Sequence, residues 1–160
     1  MGKNRKNYVN IDKLDRLILR ELEEDSRRPV KEIAKKIGIP ATTLYSRLKK
    51  LESSGIIKNY TVIIDHAKLG MPVTAFIFAS FSKTEGVSQR EIVRQISKIP
   101  NIQEVHIITG DWDILIKAKH KDVESIGRFV VDELRGMKGI EKTLTCLVLH
   151  TAKEEANVQV

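Results

Sequence analysis

The chain carries one cysteine, Cys146, in 160 residues. No disulfide can form within it, and no multi-cysteine zinc site is available. Aromatic residues supply only 5% and prolines number four. No apolar run approaches the ~18–20 residues that a membrane-spanning helix requires. The opening stretch, Met1 to Asn10, is basic and polar without an apolar core, unlike a secretory leader. These absences exclude a disulfide-stapled secreted module, a cysteine-rich metal module and a helical membrane protein. They lead to the expectation of a cytoplasmic chain with no membrane partner. What is present is a globular balance, 31% charged and 41% apolar residues, long enough for one ordinary domain or two small ones.

Charge is unevenly placed. Residues 1–60 hold 15 Lys+Arg against 8 Asp+Glu, whereas the rest holds 13 of each. The whole excess of +7 therefore lies in the first three-eighths of the chain. A basic part joined to a neutral part suggests a polyanion-binding module attached to one with another task. A lysine-rich solvated surface has the same composition, so the pattern of elements has to decide.

Residues 1–8 read as a basic tail. Leu14, Leu17, Ile18 and Leu22 recur at helical spacing and predict a helix over 12–24, with Asp12 as N-cap. Val30, Ile33, Ala34 and Ile37 predict a short second helix after Pro29, and Gly38-Ile39-Pro40 a tight turn. Leu44, Leu48 and Leu51 form the inner stripe of a third helix over 41–53. Its other face shows Thr42, Thr43, Tyr45, Ser46, Arg47, Lys49 and Lys50, with no acid before Glu52. Helix, helix, glycine turn, helix is the order of a helix-turn-helix. Hydroxyls and cations on the third helix suit phosphates and base edges in a major groove. Thr42, Thr43, Ser46 and Arg47 are the candidates for base contact. Lys49, Lys50, Lys31 and the tail residues Lys3, Arg5 and Lys6 are candidates for phosphate, and Tyr45 for either.

Residues 56–65 (IIKNYTVIID) read as a strand leading out of the basic part. Residues 73–81 (VTAFIFASF) are apolar on both alternating faces, as in a strand buried on both sides. A helix is predicted over 88–99. Strands follow over 102–109 and 112–119, joined by a two-residue type II′ turn at Gly110-Asp111. A helix over 123–134 and a last strand over 140–151 complete a β-α-β-β-α-β order, that of a ferredoxin-like sandwich. With helices on one sheet face, the other would expose an apolar patch. A second copy packed sheet to sheet removes it, so a homodimer is expected, which also pairs two third helices for palindromic DNA.

The chain resembles the Lrp/AsnC (feast/famine) transcriptional regulators of archaeal type. The strings IDKLDRLILRELEEDSRRPVKEIAKKIGIP, LKKLESSGIIKNYTVIID and GDWDILIKAK carry the resemblance, which runs from about Ile11 to Thr151. It implies an α+β chain: a winged-type helix-turn-helix at 1–60, a linker strand and loop at 61–72, and a ferredoxin-like effector-binding and oligomerisation domain (RAM domain) at 73–160. It implies double-stranded DNA as partner, a homodimer that commonly assembles to an octamer, and a small-molecule effector, usually an amino acid. The effector would sit near Gly110-Asp111-Trp112-Asp113 with Thr143 and Thr145 close by. Backbone N–H groups of a glycine turn can bind a carboxylate, and Asp111 or Asp113 an ammonium group. Trp112 would wall the site, although the resemblance leads one to expect a smaller aromatic there. Each of these residues also has a plain structural reading as turn, packing or strand.

No enzyme and no cofactor are expected. His66, His106, His120 and His150 lack ligand spacing, and Cys146 lies in an apolar strand. Asp111 and Asp113 alone lack the rest of a site. Two readings remain: a sequence-specific regulator gated by an amino acid, and a nucleoid-like architectural DNA-binding protein without effector control.

Overall fold

The computed structural model describes residues 9–83 and 86–155; the tail candidates Lys3, Arg5 and Lys6 lie outside them. The chain divides into two compact units. The first runs to Ile63, joined by residues from Lys153 onward, and the second from Ile64 to Ala152. The division falls inside the stretch read as a linker.

The first unit holds α1 (Lys13–Glu24), α2 (Val30–Ile37) and α3 (Ala41–Ser53). A reciprocal capping box starts α1: the Asp15 N–H donates to Asp12 Oδ1 at 2.8 Å, and the Asp12 N–H to Asp15 Oδ2 at 3.3 Å. α2 ends at Gly38 with φ +80°, and the Gly38 N–H caps the Ala34 carbonyl at 2.9 Å. The three apolar stripes meet in one core of Ile18, Ile33, Ala34, Leu44, Leu48 and Leu51. Lys36 on α2 reaches Glu21 at 2.8 Å and Glu24 at 3.0 Å on α1.

Residues 56–65 join no sheet. The strand expected there requires a neighbouring edge for its N–H and C=O groups, and among the described residues it is paired with none.

The second unit is a four-stranded antiparallel sheet in the order β2-β3-β1-β4, with β1 (Val73–Phe81), β2 (Ile102–Ile107), β3 (Ile114–His120) and β4 (Ile140–Leu147). α4 (Gln89–Ile96) and α5 (Val123–Arg128) supply its helices. Ala75, Ile77 and Ala79 of β1 pair with Ala118, Ile116 and Ile114 of β3 and form the core with Ile92, Ile96, Ile126, Phe129 and Leu134. The opposite sheet face carries Phe76, Phe78, Leu115, Leu144 and Cys146, none of them within that core.

Several boundaries differ from expectation; the helix expected over 88–99, for one, ends at Ile96. α5 continues as a π-helical segment, Phe129–Leu134, where the Arg135 N–H bonds to the Val130 carbonyl. β2 and β3 are joined by residues 108–113 rather than by a two-residue turn, and the Ile108 N–H bonds to the Asp113 carbonyl across this loop. The cause is Asp113: its N–H bonds to Ala79 O at 3.1 Å and its carboxylate accepts the Phe81 N–H at 2.8 Å. Both bonds hold it at the end of β1 and so open the hairpin early. β4 ends at Leu147, short of Thr151.

Candidate functional site

α3 turns three sides in three directions. Leu44, Leu48 and Leu51 point into the core. Thr42, Tyr45, Ser46, Lys49 and Lys50 are exposed, and Tyr45 is 66% accessible. Thr43 and Arg47 are half-buried. The Ser46 hydroxyl donates back to the Thr43 carbonyl at 2.9 Å, a rotamer that solvent or a ligand can exchange for another. Lys31 is exposed in the first turn of α2, where no side chain caps the helix.

Arg47 faces α1 instead of the outward surface. Its guanidinium bonds to Asp12 and, at 3.0 Å, to Asp15, while Lys50 Nζ lies 3.4 Å from Asp15. The Asp15 side chain is only 1% exposed. These bonds push the Arg47 guanidinium up from its ordinary range. The Asp15 N–H, and then Arg47, hold the Asp12 carboxyl down. Sequence reading missed Asp15; the Asp-x-x-Asp pattern of a capping box was its one visible signal.

On the other flank of α3, the Tyr60 hydroxyl donates to Glu52 Oε1 at 2.9 Å. Partial burial, helped by that bond, pushes the Tyr60 phenol up to about 12. Tyr60, Tyr45, Lys49 and Arg28 line a groove of about 440 Å³ with Leu22, Val30 and Ile33 in its floor.

In the second unit the residues expected around an effector do not converge. Gly110, with φ +122°, and Asp111 are exposed at the tip of the loop. Trp112 lies against Phe78, ring centroids 6.3 Å apart, on the open sheet face. Thr143 and Thr145 pair with Ala79 and Ile77 and so share the helix-side face. The Thr143 hydroxyl accepts from Arg135 Nε at 3.0 Å, and Thr145 is exposed. Asp113 and Thr143 flank Ala79 from either side, which separates them by about two strand spacings, roughly 10 Å. One Asp113 carboxylate oxygen is already engaged by a backbone N–H, whereas the Asp111 carboxylate has no hydrogen-bond partner among the described residues. Among the described residues, no three His, Cys, Asp or Glu side chains are grouped to hold a metal ion. Nor is any described helix long and apolar enough to cross a membrane.

Comparison with known proteins agrees with this two-part build. Residues 11–58 match a family described as winged helix-turn-helix DNA-binding. Residues 74–158 match the Lrp/AsnC ligand binding domain. The chain belongs to the Lrp/AsnC family. It is 41% identical to an HTH-type transcriptional regulator of Pyrococcus abyssi over 91% of this chain and 97% of the other. It is 35% identical to the HTH-type transcriptional regulator FL11 of Pyrococcus horikoshii over 95% and 98%. Such relatives fit the archaeal type that the sequence resembles. Among solved structures, a transcriptional regulator of Neisseria meningitidis in complex with L-Met superposes with TM-score 0.88, at 26% identity and over 93% of this chain and 96% of that one. This Lrp/AsnC protein is accordingly a DNA-binding transcriptional regulator and not an enzyme. Its α+β fold of a winged helix-turn-helix followed by a sheet-and-helix domain is the one expected.

Proposed function

We propose that this regulator recognises specific duplex sequences with α3 and that a small amino acid, bound by its second unit, alters its assembly or its affinity for DNA. The observation that carries the reading is the outward face of α3: five exposed side chains, Thr42, Tyr45, Ser46, Lys49 and Lys50, none of them acidic. Lys49 and Lys31 meet phosphates, helped at Lys31 by the open N-terminus of α2. Thr42, Tyr45 and Ser46 meet base edges.

Two features support a homodimer. The open sheet face presents Phe76, Phe78, Trp112 and Leu144 together, an apolar patch that a second sheet covers. Val62 and Ile63 stand 72% and 87% exposed in the strand-like segment, which is unpaired among the described residues. A partner copy supplies both the covering sheet and an edge to pair with, and higher assembly to an octamer builds on that dimer. For the effector, the match to a ligand-binding domain and the L-Met complex of the Neisseria regulator favour an amino acid. Gly110 and Asp111 are its first contacts in this chain. Trp112, on the open sheet face, and Thr143 and Thr145, on the helix-side face, do not surround one site within a single copy, so a neighbouring copy completes it. The place of action is the cytoplasm.

Calorimetric titration with each of the twenty amino acids, with and without a bound duplex, tests the reading. Heat with one or a few of them, and a changed duplex affinity in their presence, is expected. No heat with any would leave an architectural DNA-binding protein without effector control.

A further inference from the structure

We infer that Asp15 is a positioning residue for DNA recognition and that Arg47, the single arginine of α3, acts on DNA only through it. The inference rests on the reading of α3 as the DNA-contacting helix. Asp15 sits in the first turn of α1 with its side chain 1% exposed, and it receives Arg47 at 3.0 Å, Lys50 at 3.4 Å and the Asp12 N–H at 3.3 Å. Arg47 bonds to Asp12 as well, so one guanidinium ties both carboxylates of the capping box to α3. A buried carboxylate stripped of its cations is left uncompensated in a poor solvent, which is strongly unfavourable. An Arg47 that swung out to a guanine would take from Asp15 the nearer of its two cations and leave it Lys50 at 3.4 Å, a step in that direction. The cluster therefore uses its charge inside the protein, where it fixes the height and rotation of α3 on α1.

This has a consequence for what the helix reads. With the guanidinium fork turned inward, the bidentate arginine–guanine pair is absent from α3. Readout falls to the hydroxyls of Thr42, Tyr45 and Ser46 and to the ammonium of Lys49, which forms no ion pair among the described residues. The duplexes this protein prefers are distinguished by contacts that hydroxyls, a lysine and methyl groups can make.

The test uses the full chain. A consensus duplex is selected from a random pool with the unaltered protein, and affinities for it and for a scrambled duplex are measured by fluorescence anisotropy. Asp15→Asn, Arg47→Gln, the double change and Arg47→Lys are compared, each with its thermal unfolding by circular dichroism. Each single change is expected to weaken binding to both duplexes alike, on the order of tenfold. The double change is expected to be no weaker than the poorer single one, which is the coupling of residues that act together. Arg47→Lys, which keeps a cation on Asp15, is expected to restore most of the affinity and to select the same consensus. The inference is overturned if Arg47→Gln loses consensus binding selectively both with Asp15 intact and when combined with Asp15→Asn, or if Arg47→Lys selects a changed base pair. The second criterion stands even if Arg47→Gln does not fold. Ser46→Ala and Lys49→Ala run alongside. If neither alters duplex binding, α3 is not the DNA face and the reading beneath the inference falls with it. If they do and the Asp15–Arg47 effects are additive, only the inference falls.

Discussion

At Gly139 the backbone takes φ +93°, and a Cβ there would lie 2.6 Å from Cε2 of Phe81. Gly139→Ala combines backbone strain with a clash against a ring packed on the core. We expect it to destabilise the second unit by about 1–3 kcal/mol, seen as a lowered midpoint in urea unfolding; an unchanged midpoint contradicts the contact. The sequence showed a glycine in a turn but not the ring beside it, because the two residues lie far apart along the chain. His120 is a second case. Its side chain is buried, Asn101 lies 3.4 Å from Nδ1, and Nε2 has no hydrogen-bond partner among the described residues. Burial pushes its pKa below the ordinary 6.5, and the charges of Glu133 and Asp122 offset this only in part. The unfolded chain then binds the proton first as pH falls. The stability contributed by neutral His120 is complete above the unfolded value and is lost as pH drops through the lowered one. Unfolding of the unaltered protein is expected to need less urea as pH falls below about 6.5, and His120→Gln is expected to flatten that dependence; parallel curves would refute the assignment.

Elements governed by their own periodicity were legible, and those governed by a distant partner were not. The apolar stripes located α2 over Val30–Ile37 and α3 over Ala41–Ser53, and the doubly apolar run located β1 over Val73–Phe81. The loop between β2 and β3 escaped because Asp113 is captured by the end of β1, a contact with no local signature. The π-helical segment escaped because its apolar stripe is that of an ordinary helix. Segment 56–65 has strand composition but pairs with no strand among the described residues. At the same scale, the fate of Asp113 yields a prediction. Asp113→Ala leaves the half-buried Phe81 N–H without its acceptor and should cost about 1–3 kcal/mol in unfolding free energy. Its effect on amino-acid binding should be no greater than that of Asp111→Ala. A selective loss of effector heat with unchanged stability would return Asp113 to the ligand.

For the whole molecule, the division of labour is legible in the charge distribution along the chain. The excess of +7 belongs to residues 1–60, which include the three helices, and residues 61–160 are neutral. Which side chains of each unit meet a ligand was less legible, since spacing does not say that Arg47 turns inward or that Trp112 and Thr143 lie on opposite faces of one sheet. Assembly follows from the open face. Phe78→Lys is expected to shift sedimentation from dimer toward monomer and to weaken duplex binding, because one recognition helix then acts without its pair. An unchanged dimer would place the interface elsewhere. The most direct test of the central claim, that the outward face of α3 neutralises duplex phosphates, is the salt dependence of duplex binding for the unaltered protein and Lys49→Ala. The logarithm of affinity should fall linearly with that of salt, and Lys49→Ala should make the slope shallower by about one. Identical slopes, or binding indifferent to salt, would contradict it.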